Sequence, residues 1–162
     1  MTVTISNMNY TDISGIQKIA KVSWHATYEG IIPLAVQQKF LETAYNDEKM
    51  KLRLERSVIY VAEVEGELTG FANFSIVRDG GKVELVAIYL HPEFQGQGIG
   101  TALLQRAMLE LDGIKEIYIN VEKENRIGMN FYKSKGFKIV EEFDDNFEGH
   151  ILTTVRMVLK VK

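Results

Sequence analysis

The sequence contains no cysteine. That excludes disulfide crosslinks, and it excludes a thiol nucleophile that could carry an acyl group as a covalent intermediate. Only two prolines occur, Pro33 and Pro92, and no Pro/Ser-rich or single-charge run marks a linker. No apolar run approaches the ~18 residues that suggest a membrane span. The N-terminus lacks the basic stretch followed by an apolar stretch that makes a signal peptide. A net charge of −3 gives no basic footprint for nucleic acid. Histidine is scarce (His25, His91 and His150), and no grouping of His, Asp and Glu has metal-ligand spacing. The expectation is a soluble cytoplasmic protein with no metal, no nucleic-acid partner and no membrane partner. What is plentiful is apolar: hydrophobic residues are 46% of 162, enough for one core in a single domain spanning 1–162.

Periodicity lays out the elements. Thr2 to Asn7 alternates and predicts a first strand. Thr11 or Asp12 can cap a helix whose apolar face runs Ile13, Ile16, Ala20, Trp24 and Thr27. Pro33 suits the first turn of a second helix, with Leu34, Phe40 and Leu41 inward. Asp47 to Arg56 reads as a further short helix. Ser57–Val64 and Leu68–Ile76 read as strands joined by a tight turn at Glu65-Gly66-Glu67, and Asp79-Gly80-Gly81 turns the chain into the next strand, which begins at Val83. A helix over Ile99–Asp112, a strand over Glu116–Val121 and a helix over Arg126–Lys135 follow, the last with Ile127 and Phe131 one turn apart. Phe137–Phe143 and Ile151–Val161 close the sheet.

The most informative stretch is Glu84 to Ala107. An apolar strand (Leu85–Leu90) leads through His91-Pro92 into the glycine-dense loop Gln95-Gly96-Gln97-Gly98-Ile99-Gly100, which opens directly into a helix. A helix N-terminus presents backbone N–H groups without intrahelical partners, and the helix dipole adds partial positive charge there. Glycine lets a ligand approach that main chain closely. The outcome is a site for phosphate oxygens. A Rossmann dinucleotide site is the rival. It needs glycines directly after the strand, whereas His91 to Gln95 intervene before Gly96; Glu122 falls near the distance expected for its acidic residue. The hairpin-rich N-terminal half argues against repeated βαβ units.

The loop matches Q/R-x-x-G-x-G/A with Gln95, Gly98 and Gly100 at the defining positions, and Asn125 to Phe137 matches N-x-x-A-x-x-F-Y-x-x-x-G-F. Together, in this order, the two blocks resemble the GCN5-related N-acetyltransferases, covering the chain well from Val58 onward. The resemblance implies an α/β fold with a mostly antiparallel, mixed seven-stranded sheet flanked by helices, in the order β-α-α-β-β-β-α-β-α-β-β. It implies acetyl-CoA as co-substrate, with pyrophosphate on the N–H groups of Gln97, Gly98, Ile99, Gly100 and Thr101, and Gln95 and Gly96 as further coenzyme contacts. The pantetheine arm would lie along Ile88, Tyr89 and Leu90, with an N–H near Ile88 polarising the thioester carbonyl. Asn125 and Lys133 complete the coenzyme contacts, although Asn125 is equally a helix N-cap. Gly128 stands where the family usually has alanine.

By the same resemblance Tyr132 is the general acid beside the coenzyme sulfur; the plain alternative is a core aromatic next to Phe131. A phenol titrates near 10 and a simple thiol near 8.5, so full transfer to the thiolate is uphill and a strong hydrogen bond is sufficient. Glu84 is the first choice for a base that frees the amine, against a solvated strand-end carboxylate. Trp24, Tyr28 and Glu29 are candidates for the acceptor side, suited to a cationic amine. The acceptor is expected to be a small-molecule primary amine or polyamine rather than a protein. A non-catalytic acetyl-CoA-binding module and a protein acetyltransferase are the alternatives. A homodimer is a further expectation from the family.

Overall fold

Alternating apolar residues build the centre of the molecule. The computed structural model describes residues 2–161 and has seven strands. These are β1 (Val3–Asn7), β2 (Val58–Val64), β3 (Glu67–Phe74), β4 (Lys82–Leu90), β5 (Glu116–Glu122), β6 (Lys138–Phe147) and β7 (His150–Lys160). They form one sheet in the order β1-β2-β3-β4-β5-β7-β6. Every neighbouring pair is antiparallel except β4 and β5. The helices are α1 (Ile13–Tyr28), α2 (Leu34–Ala44), α3 (Asp47–Arg56), α4 (Ile99–Glu110) and α5 (Arg126–Ser134). The expected mixed, mostly antiparallel sheet is present, with the short third helix at Asp47–Arg56.

Two local expectations change. Asp12 is the N-cap position of α1 but makes no side-chain cap bond to it; the side-chain cap sits one turn earlier, at Asn9. The Asn9 side chain accepts from the Thr11 N–H at 3.0 Å, and Asp12 accepts from the Asn9 N–H at 3.0 Å, a reciprocal box around a short 3₁₀ turn. Leu34 points outward, 58% exposed, because it opens the first turn of α2; the buried residue of that helix is Gln37, with Phe40 and Leu41 partly buried. On α5 the inward pair is Met129 and Tyr132, three apart, and Ile127 is 68% exposed. The last two strands also run on to meet in one hairpin. Glu148 (φ 50) and Gly149 (φ 84) form a two-residue turn with both φ positive, which matches the twist of the flanking strands.

The two sheet faces bury separate clusters. On one, Ile99, Leu103 and Leu104 of α4 pack on Tyr60, Phe74, Val83, Leu85 and Ile117. On the other, Ile16, Ile19 and Ala20 of α1 pack on Ile59, Val61, Phe71 and Ala87. Leu85 and Ala87 are two apart on one strand yet face opposite sides, against the period of two. The cause is a bulge. Phe74 pairs with Leu85 but Asn73 pairs with Ala87, which leaves Val86 as an extra residue. Beside the bulge the sheet opens. β4 and β5 pair only from Lys82–Glu84 against Glu116–Tyr118, and past Glu84 they part. A bulge next to a gap is a feature that no sequence pattern reveals, and this one positions the site.

Candidate active site

The gap between β4 and β5 is a cleft of about 180 Å³. One wall is β4 from Val86 to Leu90, and another is β5 from Ile119 to Val121. Gln95, Gly96 and Gly100 of the glycine loop line one end, Tyr132, Phe131 and Asn125 another, and Trp24 and Tyr28 of α1 the far side. Residues separated by more than a hundred positions thus meet around one space, including most of the expected candidates.

The loop has the form that anion binding requires. Gly96 (φ 76) and Gly98 (φ 84) adopt left-handed backbone that a side chain would strain. Gly98 is the N-cap of α4, and the first helix N–H to find a carbonyl is that of Ala102, bonded to Gly98 at 3.0 Å. Among the described residues the N–H groups from Gly96 to Thr101 have no backbone acceptor. They stand free at the positive end of a twelve-residue helix. Ile99 contributes only main chain, since its side chain is fully buried in the core. Gly100 serves packing: a Cβ there would lie 3.1 Å from the Phe131 ring, so glycine lets α4 and α5 close on each other. Gln97, Gly98 and Thr101 stay outside the cleft lining, as does Lys133, which is exposed on α5.

Tyr132 is 6% exposed. Burial pushes its phenol far above the ordinary range, and the neighbouring phenols of Tyr89 and Tyr28 push the same way. Tyr132 therefore remains an O–H donor at every physiological pH and cannot serve as a base. Tyr28 is raised for the same leading reason, burial, with Tyr89 adding to the rise and the Asn125 side chain partly offsetting it.

Asn125 caps α5 through its side-chain oxygen, which accepts from the Gly128 N–H at 2.9 Å. The glycine at 128 now has a reason. A Cβ there would sit 2.7 Å from Asn125 Nδ2, so the family's usual alanine would displace this cap.

Trp24 and Tyr28 line the cleft at the edge of an aromatic cluster. Trp24 lies 4.5 Å from Tyr28 and 4.3 Å from Phe40, ring centre to ring centre, and Phe147 from the β6–β7 hairpin tip lies 5.7 Å from Trp24 and 5.1 Å from Phe40. The Trp24 indole N–H is buried and has no hydrogen-bond partner among the described residues. The Tyr89 hydroxyl is near enough to be influenced by that N–H, but the geometry falls short of a hydrogen bond. Glu29, at the C-cap of α1, is exposed and does not line the cleft.

Glu84 does not line the cleft. It lies at the closed end of the fork, in a separate recess with Arg78, Lys82, Tyr118 and Arg156. Arg156 Nη1 donates to one carboxylate oxygen at 3.3 Å, and Nη2 donates to the other in a closer contact. A carboxylate gripped by a guanidinium at both oxygens would have to give up a charge-assisted pair before it could take a proton from an amine. The sequence reading chose it as the one acid on the right strand, and the partner came from β7, 72 residues away.

Two contributors went unnoticed in the sequence. Phe147 was left in an unassigned segment, although the alternation Phe143, Asp145, Phe147 ahead of Glu148-Gly149 signals a longer hairpin. Asn120 lines the cleft as the exposed polar residue of β5 between buried Ile119 and Val121.

Comparison with known proteins bears on this geometry. The sequence model described as Acetyltransferase (GNAT) family matches residues 21–137. The chain is 28% identical over 155 residues to a spermidine N(1)-acetyltransferase of Thermoplasma acidophilum, covering 91% of this chain and 95% of that protein. It is 34% identical over 151 residues to the uncharacterized N-acetyltransferase YuaI of Bacillus subtilis, covering 90% of this chain and 85% of that one. Among solved structures, the PaiA N-acetyltransferase of Thermoplasma acidophilum in complex with coenzyme A superposes with a TM-score of 0.88, at 27% identity and 99% coverage of both chains.

Proposed function

This chain belongs to the Acetyltransferase (GNAT) family and is an acetyl-CoA-dependent N-acetyltransferase; from that premise we propose that its acceptor is the primary amine of a small molecule, a polyamine before a protein, attacking directly with both substrates bound. The observation that carries this reading is the splayed pair β4 and β5. It opens one cleft to the glycine loop at one end, to Tyr132 beside it and to an aromatic wall opposite.

The free N–H groups of the loop and the start of α4 fit a pyrophosphate. Asn125 and Lys133 are proposed to complete that grip from α5. When bound, acetyl-CoA supplies a reactive acetyl thioester. Backbone of Ile88 to Leu90, freed from β5 by the bulge, is proposed to hold the pantetheine arm as an added strand. A main-chain N–H near Ile88 stabilises the negative charge that develops on the carbonyl oxygen. The amine nitrogen bonds to the acetyl carbon, the carbon–sulfur bond breaks, and the amine's proton leaves to solvent. Tyr132 holds its O–H toward the departing sulfur. Holding both reactants in one cleft supplies much of the rate.

The acceptor class rests on two supports. The spermidine acetyltransferase relative acts on a polyamine by its name, and rings of Trp24, Tyr28, Phe40 and Phe147 suit the alkyl stem and the distal ammonium of such a molecule. The test is thiol release from acetyl-CoA over polyamines, amino acids, aminoglycosides and peptides. Polyamines are expected to turn over fastest. Tyr132→Phe is expected to lower kcat by about 100-fold with coenzyme affinity intact; an unchanged kcat removes Tyr132 from the chemistry.

A further inference from the structure

Three polar side chains, one from each of three adjacent strands, hold one another where the cleft begins. Glu84 is the last residue of β4 that pairs with β5, opposite Tyr118. Arg156 of β7 stands opposite Asn120 of β5. From there its side chain runs diagonally across the sheet. Its guanidinium lies 4.7 Å over the Tyr118 ring, grips both oxygens of Glu84, and donates through Nη1 to Asn120 Oδ1 at 2.9 Å. The Arg156 and Glu84 side chains are only 26% and 27% exposed, so the pair is shielded beyond an ordinary surface pair.

The chemistry of the contact fixes an orientation. A guanidinium can only donate, so the Asn120 atom that faces it must be the amide oxygen. The NH2 of Asn120 is thereby turned away from Arg156. Asn120 is exposed and lines the active-site cleft, so that NH2 is the polar group it offers there, and it offers donors only.

We infer that Arg156 is a positioning residue for the acceptor side: bridging from β7 to Glu84, it locks the Asn120 amide with its NH2 presented to the cleft, where it contacts the acceptor. Glu84 thus works as the anchor of Arg156, not as the base. This rests on the acetyltransferase reading above.

The experiment compares the unmutated enzyme with Asn120→Ala, Arg156→Met, the double variant, Arg156→Lys and Glu84→Gln. Thiol release gives kcat and acceptor KM, and calorimetry gives CoA affinity. Each of Asn120→Ala and Arg156→Met should raise acceptor KM by about 5- to 10-fold, the loss of one hydrogen bond, with CoA affinity within about twofold. The double variant should be no worse than either single one, because both remove the same contact. Arg156→Lys, which keeps a donor, should recover part of the loss, and Glu84→Gln should keep the shape of the pH profile. A purely structural Arg156 would instead lower melting temperature and both substrate affinities, with losses that add. Additive losses, or an unchanged KM in Asn120→Ala, overturn the inference while leaving the enzyme reading intact. No acetyl transfer by the unmutated protein defeats that reading instead. In that case the Asn120 side-chain amide resonance decides the orientation alone. It should be a single sharp pair in the unmutated protein and exchange-broadened in Arg156→Met; no change between them overturns the lock.

Discussion

The two ends of the cleft are made of different material. The coenzyme end is main chain from one contiguous segment, residues 95–101, whose N–H groups stand free at the start of α4. The proposed acceptor end is side chain: Trp24 and Tyr28 of α1 and Tyr89 of β4 line it, and Phe40 of α2 and Phe147 of the β6–β7 tip pack against Trp24. Main-chain recognition of a phosphate survives almost any side-chain change that spares the glycines. Side-chain recognition can be re-cut one residue at a time. On the proposed reading, such a protein would hold its donor substrate by geometry and select its acceptor by composition. The difference is open to attack from both ends.

The largest effect should come from raising the pH, and it should fall on the side-chain end. Tyr28, Tyr45 and Tyr132 all have phenols pushed upward by burial, with neighbouring phenols adding to the rise. Up to pH ~10 these groups are protonated in both the folded and the unfolded chain. Above that, the unfolded phenols ionise and the folded ones do not. The unfolded state then binds fewer protons, and stability falls as pH rises. One unit above pH 10 each phenol costs about 1.4 kcal/mol, roughly 4 kcal/mol for the three. Denaturant unfolding between pH 8 and pH 11 measures it. A flat stability curve would mean that these phenols are wet, and the acceptor end is then not the dry aromatic wall described.

Phe147→Ala is the next largest test. Its ring is half-buried against Trp24 and Phe40, and removing it should cost about 2 kcal/mol. The neighbouring Glu148–Lys39 ion pair, 3.2 Å long with Lys39 70% exposed, adds little to holding the tip in place. Acceptor KM should rise while CoA affinity stays put. An equal loss of both would show that the two ends are not separable.

The same contrast governs what was legible in the sequence. The loop Gln95–Gly100, the block Asn125–Phe137 and the strand between them are local patterns, and each landed at the cleft. The order of elements along the chain followed from alternation and turn residues. What escaped depended on distance. The bulge at Val86 reverses side-chain parity through a register shift against β3; the family resemblance implies a bulge on this strand, but nothing in the residues from Leu85 to Ala87 announces it. Glu84 looked free because Arg156 lies 72 positions downstream. Phe147 looked like loop because the Glu148-Gly149 turn went unread. Leu34 was set inward by apolarity alone, yet it sits in the first turn of a helix that buries another stripe.

On the main-chain end, Gly98→Val should matter moderately and selectively. Residue 98 holds φ 84 at the N-cap of α4. A non-glycine residue in this region costs about 1–2 kcal/mol, more if β-branched. The loop is expected to relax out of that conformation, so that CoA affinity falls roughly tenfold with acceptor selectivity unchanged. Calorimetry with CoA reads the first, and the ratio of kcat/KM across the amine panel reads the second. Unchanged CoA affinity together with reduced stability would demote the loop to a connector.

The smallest effect should come from Gly128→Ala, and its size is informative because two terms oppose each other. Alanine is the better helix former by about 1 kcal/mol. Its Cβ, however, would lie 2.7 Å from Asn125 Nδ2, closer than any real contact. The Asn125 amide must swing away and give up its hydrogen bond to residue 128, a cap worth about 1 kcal/mol. Net stability should therefore change by less than about 0.5 kcal/mol. The cancellation can be taken apart. Asn125→Ala alone should lose the full cap, about 1 kcal/mol, with nothing regained. Adding Gly128→Ala to that background should recover about the same amount through helix propensity alone, since no amide is left to displace. If Gly128→Ala stabilises the unmutated protein as much as it stabilises Asn125→Ala, the two residues do not meet. The departure from alanine at this position would then have no structural cause at Asn125, and the start of the helix that carries Tyr132 would be held by its backbone alone.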